Sequence, residues 1–225
     1  MEAAENYRRL REEIPEYVTI VVAAKTRTAE EVSAVVDAGA TDVGENYVQE
    51  GMEVKGALGD SAGRARWHLI GPLQKNKVNK ALATFDVIQT VGDYEIAEAI
   101  DKRVERAGRD VVPVYLEINI GSEATKYGMR PDYGLIEDLV RRISGNLTHL
   151  RIEGLMTMGP RSGDPEDLRP YFRRTREIFE RLRDLDLPGV DMRVLSMGMT
   201  GSYRVAIEEG SNMVRIGTAI FGARA

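Results

Sequence analysis

The stretch Tyr17 to Ala24 reads YVTIVVAA, and Lys25-Thr26-Arg27-Thr28 follows it directly. β-Branched residues dominate the first eight positions, the composition of a strand buried on both faces as in a parallel sheet. Beyond it the spacing predicts a helix over 28–37. Thr28 supplies an N-cap hydroxyl, Glu31 stands three residues on as the other half of a capping box, and Gly39 lies just past the end. A buried strand running into a capped helix is one βα unit.

The same alternation continues along the chain. Further strands are expected at 41–43, 67–70, 85–90, 111–118, 151–156, 193–196 and 213–216, which makes eight with the first. Between Asp93 and Gly108, Ile96, Ala97, Ile100 and Val104 form one helical stripe. Leu168, Phe172, Phe179 and Leu182 belong to another, with arginines and acids opposite; that charged side reads as a solvated face. The cluster Lys75, Lys77, Lys80 reads as an exposed helix start. Eight strands, each followed by a helix, within 225 residues predict an α/β fold: a single (β/α)8 TIM-type barrel over 1–225 as one domain, with an extra N-terminal helix. An open doubly wound sheet is disfavoured because no G-x-G-x-x-G follows the first strand.

Composition narrows the function classes. Lys plus Arg is 31 against 36 Asp plus Glu, a formal net charge of −5, which argues against a general nucleic-acid binder. The chain has no cysteine, so thiolate nucleophiles and Cys-ligated metals are excluded, and two histidines make a multi-histidine metal site unexpected. No apolar run reaches membrane-spanning length, and the charged N-terminal residues are unlike a signal peptide. A cytoplasmic protein without a membrane partner is expected.

In a barrel the carboxyl ends of the strands converge on one rim, where the chemistry sits. Lys25 ends the first strand. One reading has it snorkel to water; the other has apolar surroundings disfavour its charge, so that a free amine condenses with an aldehyde to a Schiff base. Ser196-Met197-Gly198 after strand seven and Gly217-Thr218 after strand eight lie where barrels bind phosphate, although tight-turn glycines beside a core serine would look alike. An aldehyde at one side of the rim and a phosphate at the other describe pyridoxal 5′-phosphate (PLP). Arg215, among Met213, Val214 and Ile216, needs an acceptor. That acceptor is either the cofactor's ring nitrogen, kept unprotonated by an always-charged guanidinium, or an acid on another strand. His68 reads as a hydrogen-bonded core histidine rather than a base, and His149 carries no role.

The segments VVAAKTRT (21–28), GENYVQE (44–50), WHLIGPLQKNK (67–77), GLMTMGP (154–160), LSMGMT (195–200) and MVRIGTAIFGAR (213–224) together resemble the pyridoxal phosphate homeostasis protein family. This is the YggS-like or PROSC-type group, related to the barrel domain of alanine racemase. The resemblance implies a PLP-loaded barrel with the cofactor covalent on Lys25. Ser196, Gly217 and Thr218 would hold the phosphate, with Gly198 in the same loop, and Arg215 would face the ring nitrogen. Asn46, His68 and Met156 would line the ring pocket. It also implies a monomer that keeps free PLP low and passes it on, with PLP-dependent apo-enzymes as partners. Ala24 and Thr28 stand where the family has serine and proline, and Thr200-Gly201-Ser202 replaces a serine and acids. Ser202 is expected to cap the next helix.

The expected function is therefore a non-catalytic PLP carrier and buffer. The alternative is a single-domain PLP-dependent amino acid racemase or decarboxylase. A racemase of the alanine type would need a further domain supplying a tyrosine base, which is not expected here. A third reading is a cofactor-free aldolase in which Lys25 attacks a sugar-phosphate ketone.

Overall fold

The strands twist and tilt until the last pairs with the first. In the computed structural model, which describes residues 2–106 and 108–223, β1 (Thr19–Ala23), β2 (Asp42–Glu45), β3 (Arg66–Leu69), β4 (Val87–Val91), β5 (Val112–Ile118), β6 (Leu150–Thr157), β7 (Val190–Met199) and β8 (Met213–Ile216) form a closed parallel barrel in sequence order. Thr19 pairs with Met213 and Val22 with Ile216 at the closure. Arg224, at the end of the last quoted motif, lies outside the described residues. Around the barrel run α2 (Ala29–Asp37), α3 (Val48–Leu58), α4 (Val78–Thr84), α5 (Tyr94–Arg106), α6 (Tyr133–Asn146), α7 (Arg169–Arg183), α8 (Tyr203–Glu208) and α9 (Thr218–Phe221), preceded by α1 (Glu2–Glu13). The expected (β/α)8 barrel with an additional N-terminal helix is the observed fold.

Local chemistry explains the elements. At the start of α2, Thr28 Oγ1 accepts from the Glu31 amide at 3.3 Å while Glu31 accepts from the Thr28 amide at 2.8 Å, the reciprocal box read from the sequence. Gly39 then takes φ +103°. The extra helix α1 and the residue after it lay Tyr7, Leu10 and Ile14 in one cluster with Val35, Ile216 and Ile220, so this segment covers the closure of the barrel. Strand boundaries shift by up to three residues, and two of the shifts show a clear cause. Phe85, expected to open β4, instead ends α4, its amide donating to Ala81 O at 2.8 Å and its ring buried. β7 begins three residues before Arg193, because Asp191 and Arg193 face outward on an edge of period two that reads as a polar connector. Ser202 precedes α8 as expected, but its Oγ accepts from the Met199 amide at 3.2 Å, closing the β7–α8 turn rather than capping the helix.

Two apolar layers result. One lies between the strands and the helices. The other plugs the barrel itself with Val21, Ile70, Val87, Tyr115, Met156 and Met213. Polar groups share that interior: His68, Gln89 and Ser196 are fully buried, and Arg215 is 4% exposed.

Candidate cofactor site

At the carboxyl end of the barrel lies a cavity of about 270 Å³. Lys25, one residue beyond Ala24 at the end of β1, forms one side of it, half-buried. Its Nζ donates to Tyr47 Oη at 3.3 Å and stands 4.9 Å from the centre of that ring. The surroundings of the amine are thus aromatic and partly open rather than wholly apolar. Thr26, the next residue, has φ +64°, a left-handed conformation that a β-branched residue adopts only under constraint, at about 1–3 kcal/mol. Its amide donates to the Glu50 carboxylate at 3.1 Å, which helps hold the turn. The turn carries both Lys25 and Arg27 to the cavity wall.

Arg215 forms the floor. Its Nη1 donates to Ser196 O at 2.9 Å and to Ser196 Oγ at 2.6 Å, and its Nη2 donates to Thr157 O at 2.7 Å. Among the described residues no acid forms an ion pair with it. Burial pushes the guanidinium down to about 10, against the pull of the nearby Glu117. The same burial pushes Glu117 up to about 7, opposed by Arg215, and leaves one of its carboxyl oxygens without a hydrogen-bond partner. Arg215 remains charged at neutral pH.

The remaining wall is built from the ends of β7 and β8. Thr200, Gly201, Gly217 and Thr218 line it. Thr200 Oγ1 accepts from the Ala219 amide at 3.2 Å, which leaves its own proton free to donate. At Gly217, just past β8, a Cβ would stand 3.0 Å from Ala23 O, so a side chain there would crowd the backbone at the end of β1.

The structure brings Lys25, Asn46, Arg215, Gly217 and Thr218 to one cavity. It separates the others from it. His68 lies inside the barrel, its Nε2 2.8 Å from Asp42 Oδ1 and its Nδ1 2.9 Å from Gln89 Nε2. Met156 is part of the interior plug, and Met158, just past the end of β6, takes the wall position. Ser196 spends its hydroxyl on Arg215 and Gln89, at 2.6 and 2.8 Å, and does not line the cavity. Gly198 turns the chain with φ +95°, where a Cβ would meet Ala206 Cβ at 2.6 Å; its part is the bend and not the wall. Arg27, Met158 and Gly201 were not evident beforehand. Arg27 had a signal, since it lies two residues after Lys25 in the same loop.

Aldehyde, ring and phosphate make separate demands, and the cavity answers each with a donor set: an amine, a fixed guanidinium, and hydroxyls with a glycine cradle. Its residues therefore fit PLP. Among the described residues there is no cluster of acids and histidines able to hold a metal ion and no helix long and apolar enough to cross a membrane.

Similarities to known proteins cover nearly the whole chain. The family model for the alanine racemase N-terminal domain matches residues 2–225. The pyridoxal phosphate homeostasis protein of Pasteurella multocida is 38% identical over 207 residues, 92% of this chain and 87% of that one. PipY of Synechococcus elongatus, solved without PLP, superposes with a TM-score of 0.90 at 30% identity, covering 98% of this chain and all of that one. The same protein with PLP bound gives 0.87 at 29% identity over 98% of this chain and 100% of that one. The chain belongs to the alanine racemase N-terminal domain family and, within it, to the pyridoxal phosphate homeostasis proteins.

Proposed function

We propose that this chain, acting as one domain and as a monomer in the cytoplasm, holds PLP covalently on Lys25, buffers its free concentration and delivers it to PLP-dependent apo-enzymes. One observation carries the reading: a single cavity of about 270 Å³ joins the Lys25 amine, the Arg215 guanidinium and the Thr200, Gly217 and Thr218 wall. The solved PipY with PLP bound and the name of the Pasteurella relative support the ligand.

When bound, PLP would supply an aldehyde, and Lys25 would be the residue to hold it. The chain's own residues do the rest. Lys25 must be unprotonated at Nζ to attack, and the Tyr47 hydroxyl beside it orients the amine. Arg215 only donates, so it would hold a ring nitrogen through N–H and favour its unprotonated form, which would weaken the ring as an electron sink. The Thr218 and Thr200 hydroxyls would hold the phosphate, with the Arg27 cation, which pairs with Glu31 and donates to Gly222 O, beside them on the same wall. The titratable groups on the cavity wall are Lys25, Arg27 and Arg215, with no carboxylate or histidine among the described residues to move a proton on a substrate. That favours holding over turnover.

Borohydride reduction of the PLP-loaded protein followed by mass spectrometry tests the site, with the adduct expected on Lys25. An adduct on Lys75, Lys77 or Lys126 refutes it. Incubation with each proteinogenic amino acid, followed by chiral chromatography, tests the carrier reading, and sustained turnover of any one would replace it with the racemase or decarboxylase alternative.

A further inference from the structure

Below the cavity floor a line of hydrogen bonds crosses the inside of the barrel. Arg215 on β8 donates to Ser196 Oγ on β7 at 2.6 Å. Ser196 donates to Gln89 Oε1 on β4 at 2.8 Å. The Gln89 amide stands 2.9 Å from His68 Nδ1 on β3, and His68 Nε2 stands 2.8 Å from Asp42 Oδ1, the first residue of β2 at the opposite mouth. Asp42, at 9%, is the most exposed member.

The two ends force the direction of every link. Arginine can only donate and an ionised aspartate can only accept. Ser196 Oγ therefore receives from Arg215 and sends its single proton to Gln89. With Oε1 thus engaged, Gln89 turns its NH₂ toward His68, whose Nδ1 must be bare. The ring proton then sits on Nε2 and points at Asp42, which also accepts from Thr41 Oγ1 at 2.7 Å. A charge at each end polarises the line in one sense, and each bond reinforces the next.

We propose that Asp42, His68 and Gln89 are positioning residues for the cofactor site: through Ser196 they fix the orientation in which Arg215 faces the ring nitrogen. The identity of what Arg215 faces rests on the PLP reading above; the polarity of the line does not. Around His68 stand Asp42, Arg66 on its own strand and Asp86 ahead of β4. Burial lowers its basicity, opposed by the bond to Asp42, in keeping with a neutral ring.

Two measurements decide it. In the protein without PLP, ¹⁵N NMR of the two histidines, with His149→Gln for assignment, should show His68 neutral and protonated at Nε2 from about pH 5 to about pH 8, where an ordinary histidine changes charge. A ring protonated at Nδ1 overturns the proposal. In the loaded protein, Gln89→Met should weaken PLP retention roughly tenfold, the scale on which members of one buried network couple, and shift the pH profile of the visible absorption. In an Arg215→Lys background the same change should add almost nothing. Additive losses in a protein that binds PLP overturn this proposal alone. A protein that binds no PLP overturns the carrier reading and this one with it, leaving the His68 spectrum as described. If Gln89→Met fails to fold, Asp42→Asn keeps an acceptor, removes only the charge and carries the same cycle with the same outcomes.

Discussion

The two cations that face each other across the cavity are held in opposite ways. Lys25 is half-buried at the end of a five-residue strand and makes one long hydrogen bond to an exposed tyrosine. Arg215 sits in mid-barrel, 4% exposed, with its three bonds at 2.6 to 2.9 Å and a line of buried side chains behind it. A nucleophile has to lose a proton and move toward its electrophile, so rigidity would hinder it. A guanidinium that defines the electronic state of a ring must do neither, and the fixed donors of the barrel interior keep it in place. Removing the first should therefore affect chemistry and spare the fold, while removing the second should affect both.

Lys25→Ala gives the largest effect: complete loss of the reducible adduct, read by mass spectrometry, with stability within about 0.5 kcal/mol of the parent as for a surface change. Unfolding of that variant would break the comparison. Arg215→Gln should lower stability by about 3 kcal/mol in chemical denaturation, because the Ser196 and Thr157 acceptors lose their donors. It should also shift the absorption of bound PLP. An unchanged spectrum would make Arg215 purely structural.

Glu117 sharpens the cost of charge on the Arg215 side. Its carboxyl rises from 4.5 to about 7, so between those values the folded chain holds a proton that the unfolded chain has released. The contribution is present at low pH and is lost as pH climbs through that window, up to about 3 kcal/mol. Glu117→Gln should match the parent near pH 4.5 and become more stable than it above about pH 7, as read by paired denaturation curves. On the open side of the cavity the effects shrink. Thr218→Val should weaken PLP retention by about 2 kcal/mol, the worth of a hydrogen bond to a charged group, in a fluorescence titration. Tyr47→Phe should change the rate of adduct formation by less than about tenfold, since water can replace its weak contact.

The strands were legible because their burial on both faces leaves an unbroken β-branched signature, as in Ile20-Val21-Val22, and α2 because its cap is chemistry between neighbours. Lys25, Asn46, Arg215, Gly217 and Thr218 were legible as lining of one cavity because each stands at or near a strand's carboxyl end, which topology sends to one rim. His68, Met156 and Ser196 were not, since a residue's depth in the barrel depends on the stagger between strands. Met156, inside β6, falls in the plug, whereas Met158, one residue past its end, reaches the cavity.

The sequence alone determined the alternation of buried strands and amphipathic helices, and through the count of eight βα units the barrel and the rim bearing the amine, because the signals of each unit lie within one element or between neighbours in the chain. Only the tertiary structure decided which side chains meet inside. Arg215, Ser196, Gln89, His68 and Asp42 span 173 positions from one end to the other. Their hydrogen-bond directions follow from the register of five strands at once, a quantity that no local pattern encodes.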